Sequence, residues 1–161
     1  MTAEGTTEWR WVERYGEQFA ACGLQSDEVA VLLWEAASAP SVVATARLAL
    51  EMSGAAVAEV RMPTPANPGP LPIRSTGASQ ALAGHRAAIA ALRAADFVVD
   101  CTAEGLLHAP ELGEILSGSA RVLMISAEHP ENAERWPHDP SLADKVDRGV
   151  ALLEQAATMV I

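Results

Sequence analysis

Three polar side chains follow a short apolar run in the second half of the chain. Residues 97–99 are aromatic or β-branched, and Thr102, Glu104 and His108 come soon after them. A neutral imidazole can orient a ligand or transfer a proton near neutral pH, and a nearby carboxylate can take part in the same chemistry. A histidine hydrogen-bonded within its own loop fits the sequence equally well, so both interpretations stay open.

A second candidate is the segment 74–79, RSTGAS, which precedes a predicted helix. The guanidinium of Arg74, the hydroxyls of Ser75 and Thr76 and free backbone N–H groups at a helix start are typical of an anion-binding site. The alternative is that Ser79 caps the helix and that the glycine is a turn residue. The sequence contains neither a GxGxxG nor a GxxxxGK[ST] pattern, which disfavours dinucleotide and triphosphate binding.

The remaining candidates are weaker. His85 falls inside a predicted helix, His129 precedes a proline, and His138 lies in a proline-flanked loop. Zinc and iron sites need at least three convergent ligands, and no such spacing is recognisable, so we predict no metal ligands in this chain. Cys101 follows Asp100, whose charge would raise the thiol pKa, and burial at a strand end is the better prediction.

The elements that must position these residues alternate between strand and helix. We predict strands at 29–33, 56–60, 97–99 and 121–125, with a fifth opening at 159–161, and helices at 9–21, 41–52, 80–95, 110–116 and 141–156. This order favours right-handed βαβ units, so the predicted fold is α/β: one Rossmann-like, three-layer α/β/α domain over residues 1–161, with a mostly parallel sheet of four to five strands.

In such a sheet, ligands bind in the crevice beyond the carboxyl ends of the strands. Thr102, Glu104 and His108 would therefore be delivered to the place where chemistry is expected. Residues 62–72 contain five prolines and cannot form a central strand, so we predict a wall or lid over this crevice.

Composition excludes several function classes. The formal net charge of −10 disfavours nucleic acid as a partner, and no apolar run approaches the ~20 residues needed to cross a bilayer. The N-terminus lacks the basic start and apolar centre of a signal peptide. Cys22 and Cys101 are too few for a disulfide framework, which favours a reducing cytoplasm.

A family resemblance is carried by four segments in order: CGLQSDEVAVLLWEAASAP, PIRSTGASQALAGH, DFVVDCTAEGLLHAPELGEIL and RVLMISAEHPENAERW. Together they resemble the N-terminal half of the 2,5-dihydroxypyridine 5,6-dioxygenase family, which is related to aminopeptidase T-like metallopeptidases. The resemblance runs from about residue 11 to residue 161. It implies a non-haem Fe(II) enzyme of extradiol type that opens a dihydroxylated pyridine ring with O₂ in nicotinate or nicotine breakdown.

The resemblance also implies residue roles. His108 corresponds to the histidine of the TAEGLLHA motif, near the oxygen-binding side of the family's site, and Leu107 corresponds to part of a substrate gate. The family's iron ligands are histidine, serine and aspartate side chains of a C-terminal domain, which has no counterpart in this sequence. We therefore expect a missing C-terminal domain or a partner subunit, and a homo- or hetero-oligomer, with Fe(II) held mainly by residues outside this chain.

Three hypotheses remain open at this stage. In the first hypothesis, the chain is the N-terminal domain or subunit of a ring-cleaving dioxygenase acting on a small hydroxylated aromatic compound and O₂. Alternatively, it is a fragment of an aminopeptidase-like metallohydrolase, or a non-catalytic domain for ligand binding or assembly. For the first hypothesis the predicted substrate or gate residues are Leu107, Glu104, Thr102, Arg74, Ser75 and Thr76, and the predicted catalytic residue is His108.

Overall fold

The central feature of the fold is a parallel sheet. A computed structural model describes residues 7–66, 77–126, 128–135 and 139–158. Within them the strands are β1 (Val29–Glu35), β2 (Ala56–Met62), β3 (Phe97–Asp100) and β4 (Arg121–Met124). They form a four-stranded sheet in the order β2-β1-β3-β4, and each neighbouring pair is parallel. This confirms the predicted α/β class and its Rossmann-like parallel sheet.

Helices connect and cover the strands. They are α1 (Trp9–Ala21), α2 (Pro40–Met52), α3 (Arg86–Arg93), α4 (Leu112–Leu116), α5 (Glu131–Arg135) and α6 (Leu142–Gln155). On one face of the sheet, α1 and α2 bury a cluster that includes Phe19, Leu32 and Phe97. On the other face, α3 and α4 bury a cluster that includes Leu33 and Val98. Because successive side chains of a strand point to opposite faces, the near-continuous apolar runs of β1 and β3 supply both clusters, and three layers result.

Glycine ends the first helix where the sequence predicts. Gly23 has φ of 84°, a conformation in which a Cβ is strained. Its N–H donates to the Ala20 carbonyl at 2.9 Å, and the Leu24 N–H donates to the Phe19 carbonyl at 3.0 Å. This is a Schellman motif, which satisfies carbonyls that the helix end leaves free. The helix can therefore stop without leaving buried polar groups unpaired, and the chain turns toward β1.

The predicted helix over 80–95 is wrong in its first part. Residues 81–84 form a turn, His85 occupies the N-cap position with its side chain exposed, and α3 begins only at Arg86. Gly84 has φ of 77°, which a right-handed helix cannot contain. The eight alanines in the predicted stretch carry strong helix propensity, but this one left-handed residue overrides it.

Other boundaries differ more modestly. The strands β1, β2 and β3 run further than predicted, to Glu35, Met62 and Asp100, and β4 ends at Met124. The short helix predicted over 110–116 begins at Leu112. Helix α5 had no predicted counterpart; it lies against α1, and Glu134 pairs with Arg10 at 3.0 Å. The predicted fifth strand at 159–161 and most of the predicted proline-rich lid, residues 67–72, lie outside the described residues.

Candidate functional site

Strand β3 ends in a buried carboxylate that organises the residues after it. Asp100 is fully buried, and its Oδ1 accepts hydrogen bonds from the backbone N–H and the hydroxyl of Thr102, at 2.9 and 2.7 Å. Its Oδ2 accepts the N–H of Leu106 at 2.7 Å. One side chain therefore holds both arms of the turn. We call residues 101–108 the β3 loop.

Thr102 faces inward within this loop. Its side chain is fully buried, its hydroxyl donates to Asp100, and its Oγ1 accepts the N–H of Gly105 at 3.1 Å. This arrangement closes the turn on itself. The structure therefore gives Thr102 a clear role in loop conformation, and its predicted contact with substrate stays a prediction.

A second buried carboxylate reaches the β3 loop from the neighbouring strand. Glu35 is the last residue of β1 and is buried, and its Oε1 accepts the N–H of Ala103 at 2.7 Å. Its backbone is fixed in turn, because the Glu35 N–H donates to Ser38 Oγ at 2.8 Å. In the part of the chain that the structure describes, Glu35 Oε2 has no hydrogen-bond partner although it is inaccessible to solvent.

The outer side of the β3 loop is held by residues 77–79. The N–H of Gly77 donates to the Glu104 carbonyl at 2.6 Å, and the N–H of Ser79 donates to the Gly105 carbonyl at 2.8 Å. In return, the His108 N–H donates to the Gly77 carbonyl at 2.5 Å. The second half of the RSTGAS segment is thus paired with the backbone of the loop that carries His108.

Gly77 also makes room for the candidate gate and catalytic side chains, Leu107 and His108. It has φ of 74°, and a Cβ at this position would lie 3.0 Å from Leu107 Cβ and 3.1 Å from His108 Cδ2. Any other residue would be strained here and would press on both side chains. A glycine at position 77 therefore lets the imidazole of His108 pack directly over the backbone.

Gly105 likewise leaves space for neighbouring side chains on the other side of the β3 loop. It is buried with φ of 76°, and an added Cβ would lie 2.8 Å from Ser126 Oγ and closer still to the side chain of Met124. Met124 ends β4, and Ser126 itself has φ of 57°. The β3 loop is therefore packed tightly against the carboxyl end of the next strand, as expected for the crevice side of a parallel sheet.

Leu107 and His108 lie on the outside of this anchored loop. Leu107 is 58% exposed, which is high for a large apolar side chain, and His108 is exposed as well. Glu104 is partly exposed. The structure thus presents an apolar side chain and an imidazole side by side on a backbone fixed by both carboxylates. The leucine can contact an aromatic ring, and the imidazole can exchange a proton with a polar group on that ring.

Burial dominates the electrostatics of the β3 end. Burial raises the pKa of Asp100 to about 6, against the lowering effect of its hydrogen bonds from Thr102 and Leu106, and the charge of Glu35 raises it further. Burial also raises the pKa of the Cys101 thiol far above its ordinary value, with a further contribution from Asp100. Cys101 is therefore a buried apolar group, as predicted, and not an activated nucleophile.

Several predicted residues are not among those that the structure describes. Arg74, Ser75 and Thr76 fall outside the described residues, as does His138, so the anion-binding prediction stays a prediction. His129 is exposed and packs edge-on against Trp11 of α1, with ring centroids 5.0 Å apart.

The sequence analysis missed Glu35 as part of the site, and it considered Gly77 only within the segment 74–79, as part of an anion-binding site or as a turn residue. A carboxylate directly after an apolar strand was the available signal for Glu35. For Gly77 the only signal was a glycine among hydroxyl residues.

The described residues do not supply a metal site. Across 7–66, 77–126, 128–135 and 139–158, no group of three or more histidine, cysteine, aspartate or glutamate side chains could hold a metal ion. Glu35 Oε1 and both oxygens of Asp100 accept hydrogen bonds from the β3 loop. Among the same described residues, no helix is long and apolar enough to span a membrane.

Fold and loop together define a class of protein: a Rossmann-like α/β domain that presents a leucine and a histidine beyond the carboxyl end of a central parallel strand. Comparison with known protein families identifies which family of this class the chain matches. The model of the 2,5-dihydroxypyridine 5,6-dioxygenase family matches residues 10–161, and the chain belongs to this family.

A solved structure supports the same assignment. The 2,5-dihydroxypyridine dioxygenase from Pseudomonas putida KT2440 is 29% identical in sequence and superimposes with a TM-score of 0.77, covering 91% of this chain. The match covers 42% of the Pseudomonas chain, so the present chain spans less than half of that protein. No curated protein sequence matches significantly.

Proposed function

We propose that this chain is the N-terminal, substrate-facing half of a ring-cleaving dioxygenase that acts on a dihydroxypyridine or a similar hydroxylated aromatic compound with O₂. The observation that carries the proposal is the family match over residues 10–161, which includes the whole β3 loop. Exposure of Leu107 and His108 on a loop whose other residues are buried or partly buried supports their proposed roles as gate and catalytic residue. Glu104, Thr102, Arg74, Ser75 and Thr76 are proposed to shape the substrate side of the same crevice.

The metal belongs to the other half in this proposal. The family is one of dioxygenases, and we propose non-haem Fe(II), held by polypeptide that corresponds to the part of the Pseudomonas chain outside the match. When bound, the metal would supply the redox chemistry with O₂. The chain's own contribution is to bind the ring against Leu107, to exclude water with the β3 loop, and to hold or move a proton at the imidazole of His108.

Helix α6 supports the existence of a partner. Its apolar residues Leu142, Val146, Val150 and Leu153 recur at helical spacing, and each is between 47% and 61% exposed. A helix of 14 residues is marginal in water without tertiary packing, so an amphipathic α6 is expected to bury this face against further polypeptide. This observation favours assembly, within one chain or in an oligomer, over the stand-alone binding domain. A cytoplasmic location remains a prediction from the low cysteine content.

The experiment requires both halves. The chain is mixed with the part of the Pseudomonas enzyme that lies outside the match, both are loaded anaerobically with Fe(II), and O₂ uptake is followed with 2,5-dihydroxypyridine. We expect ring cleavage by the mixture and neither cleavage nor tight stoichiometric Fe(II) binding by this chain alone. Tight Fe(II) binding by this chain alone would contradict the proposal. Peptide hydrolysis without ring cleavage would favour the metallohydrolase alternative.

His108 is tested in the same mixture. The variant His108→Ala should lower kcat about 100-fold or more, the range typical of a lost proton-transfer residue, with little change in substrate affinity. His85→Ala is the matched control, because His85 is also exposed but lies at the start of α3. Equal rates for the wild-type protein and His108→Ala would remove His108 from the mechanism.

A further inference from the structure

We propose that Glu35 and Asp100 form a carboxylate clamp that positions His108 by fixing the backbone of the β3 loop. The positioning of the loop follows from this structure alone, and its consequence for catalysis rests on the function proposed above. Neither residue is placed in contact with substrate. Both act through the loop, so they are positioning residues.

The clamp is built from the ends of two adjacent strands. In the β1–β3 register Leu33 is opposite Asp100, and Glu35 lies two residues beyond Leu33. Because side chains two apart in a strand share a face, both carboxylates lie on the α3 and α4 side of the sheet. From there Asp100 binds the N–H groups of Thr102 and Leu106, and Glu35 binds the N–H of Ala103 between them.

Burying two carboxylates destabilises the folded state, which argues that the clamp does more than fill space. Both side chains are at least 98% buried, and a buried carboxylate is destabilising unless its oxygens are well bonded. Glu35 Oε2 lacks any hydrogen-bond partner among the described residues, so its desolvation is uncompensated. Apolar residues at both strand ends would cost less but could not bind backbone N–H groups. The clamp therefore trades stability for a defined loop conformation.

The fixed conformation of the β3 loop also fixes the backbone of His108. Its inner side is held by the clamp, and its outer side is paired with residues 77–79, including the bond from the His108 N–H to the Gly77 carbonyl. The imidazole is exposed, so side-chain packing alone does not fix it. Catalytic groups work best when held within a fraction of an ångström of their productive position. Here the backbone provides that fixation.

The first test uses the chain as it is. Amide hydrogen exchange is measured for Ala103, Leu106 and His108 in the wild-type protein, Glu35→Ala and Glu35→Gln. Loss of one buried hydrogen bond should speed exchange at these amides about tenfold in Glu35→Ala. Glu35→Gln keeps an amide oxygen that can accept the Ala103 N–H, so it should restore most of the protection.

Glu59→Ala is the control, because Glu59 is a partly exposed carboxylate on β2 that pairs with Arg47. Should Glu35→Ala fail to fold, Asp100→Asn replaces it: the amide oxygen can keep the two bonds from Thr102, but the amide nitrogen cannot accept the N–H of Leu106. Unchanged exchange at all three amides, or equal effects of Glu35→Gln and Glu35→Ala, would overturn the clamp.

The second test uses the mixture of both halves. Glu35→Ala should lower kcat about tenfold with little change in KM, and adding it to His108→Ala should cause no further loss. Independent, additive losses would show that Glu35 does not act through His108. If the wild-type mixture cleaves no ring, the proposed function fails, and the exchange experiment still decides the clamp.

Discussion

The substitution Gly77→Ala tests the contact of Gly77 with the candidate gate residue Leu107 and the candidate catalytic residue His108. Gly77 has φ of 74°, and the added methyl group would lie 3.0 Å from Leu107 Cβ and 3.1 Å from His108 Cδ2. These separations are shorter than ordinary carbon–carbon contacts, which lie at about 3.5–4.0 Å. The methyl group would therefore push Leu107 and His108 outward or shift the backbone of the β3 loop.

Two costs add in this variant. A left-handed conformation costs a residue with a Cβ about 1–2 kcal/mol. Overpacking against two side chains costs about 1–3 kcal/mol more, toward the low end because both are exposed and can give way. We expect Gly77→Ala to lower the free energy of unfolding by about 2–4 kcal/mol.

Gly84→Ala is the matched control. Gly84 has φ of 77°, and nothing lies within 4 Å of its added Cβ. This variant therefore pays only the backbone strain of about 1–2 kcal/mol. The gain from a less flexible unfolded chain is common to both variants and cancels in their difference.

The assay combines urea unfolding with NMR. Circular dichroism gives the two free energies of unfolding, and proton–carbon correlation spectra report the Cδ2 and Cε1 signals of His108. Only Gly77→Ala should shift the His108 signals, and it should be the less stable variant by about 1 kcal/mol or more. Equal stability losses with unshifted His108 signals in Gly77→Ala would show that His108 does not lie over Gly77.

Two further predictions concern the buried end of β3. Asp100 has a pKa raised from its ordinary 3.8 to about 6, so the folded state binds the proton more tightly than the unfolded state between these values. The stability of the wild-type protein relative to Asp100→Asn should therefore fall by about 2 kcal/mol as the pH rises from about 4 to about 7, since one pKa unit is worth ~1.4 kcal/mol and the unfolded carboxyl is already partly ionised at pH 4. A pH-independent difference in urea unfolding would contradict the burial of Asp100. Exposed Cys22 should react with iodoacetamide in the native protein, whereas buried Cys101, with its raised pKa, should react only in denaturant. Mass spectrometry that shows labelling of Cys101 in the native protein would contradict its burial at the end of β3.

Local signals were sufficient for most of the fold. The apolar runs at 29–33 and 97–99 predict buried strands because consecutive apolar side chains in a strand point to both faces of the sheet. Glycines after Ala21 and Met52 predict helix ends, and the structure has φ above 80° at Gly23 and Gly54. The helix predicted over 80–95 failed because composition does not reveal that Gly84 adopts a left-handed conformation.

The sequence by itself determined the α/β class, the family and the position of His108 just after a central strand. Only the tertiary structure decided that Glu35, 73 residues before His108 in the numbering, reaches the same loop, because strand register is set by pairing between distant segments. It also decided that Thr102 faces Asp100 while Leu107 and His108 face outward. Those orientations depend on the positive φ angles of Gly77 and Gly105 and on hydrogen bonds between segments, which a linear pattern of residue types does not encode.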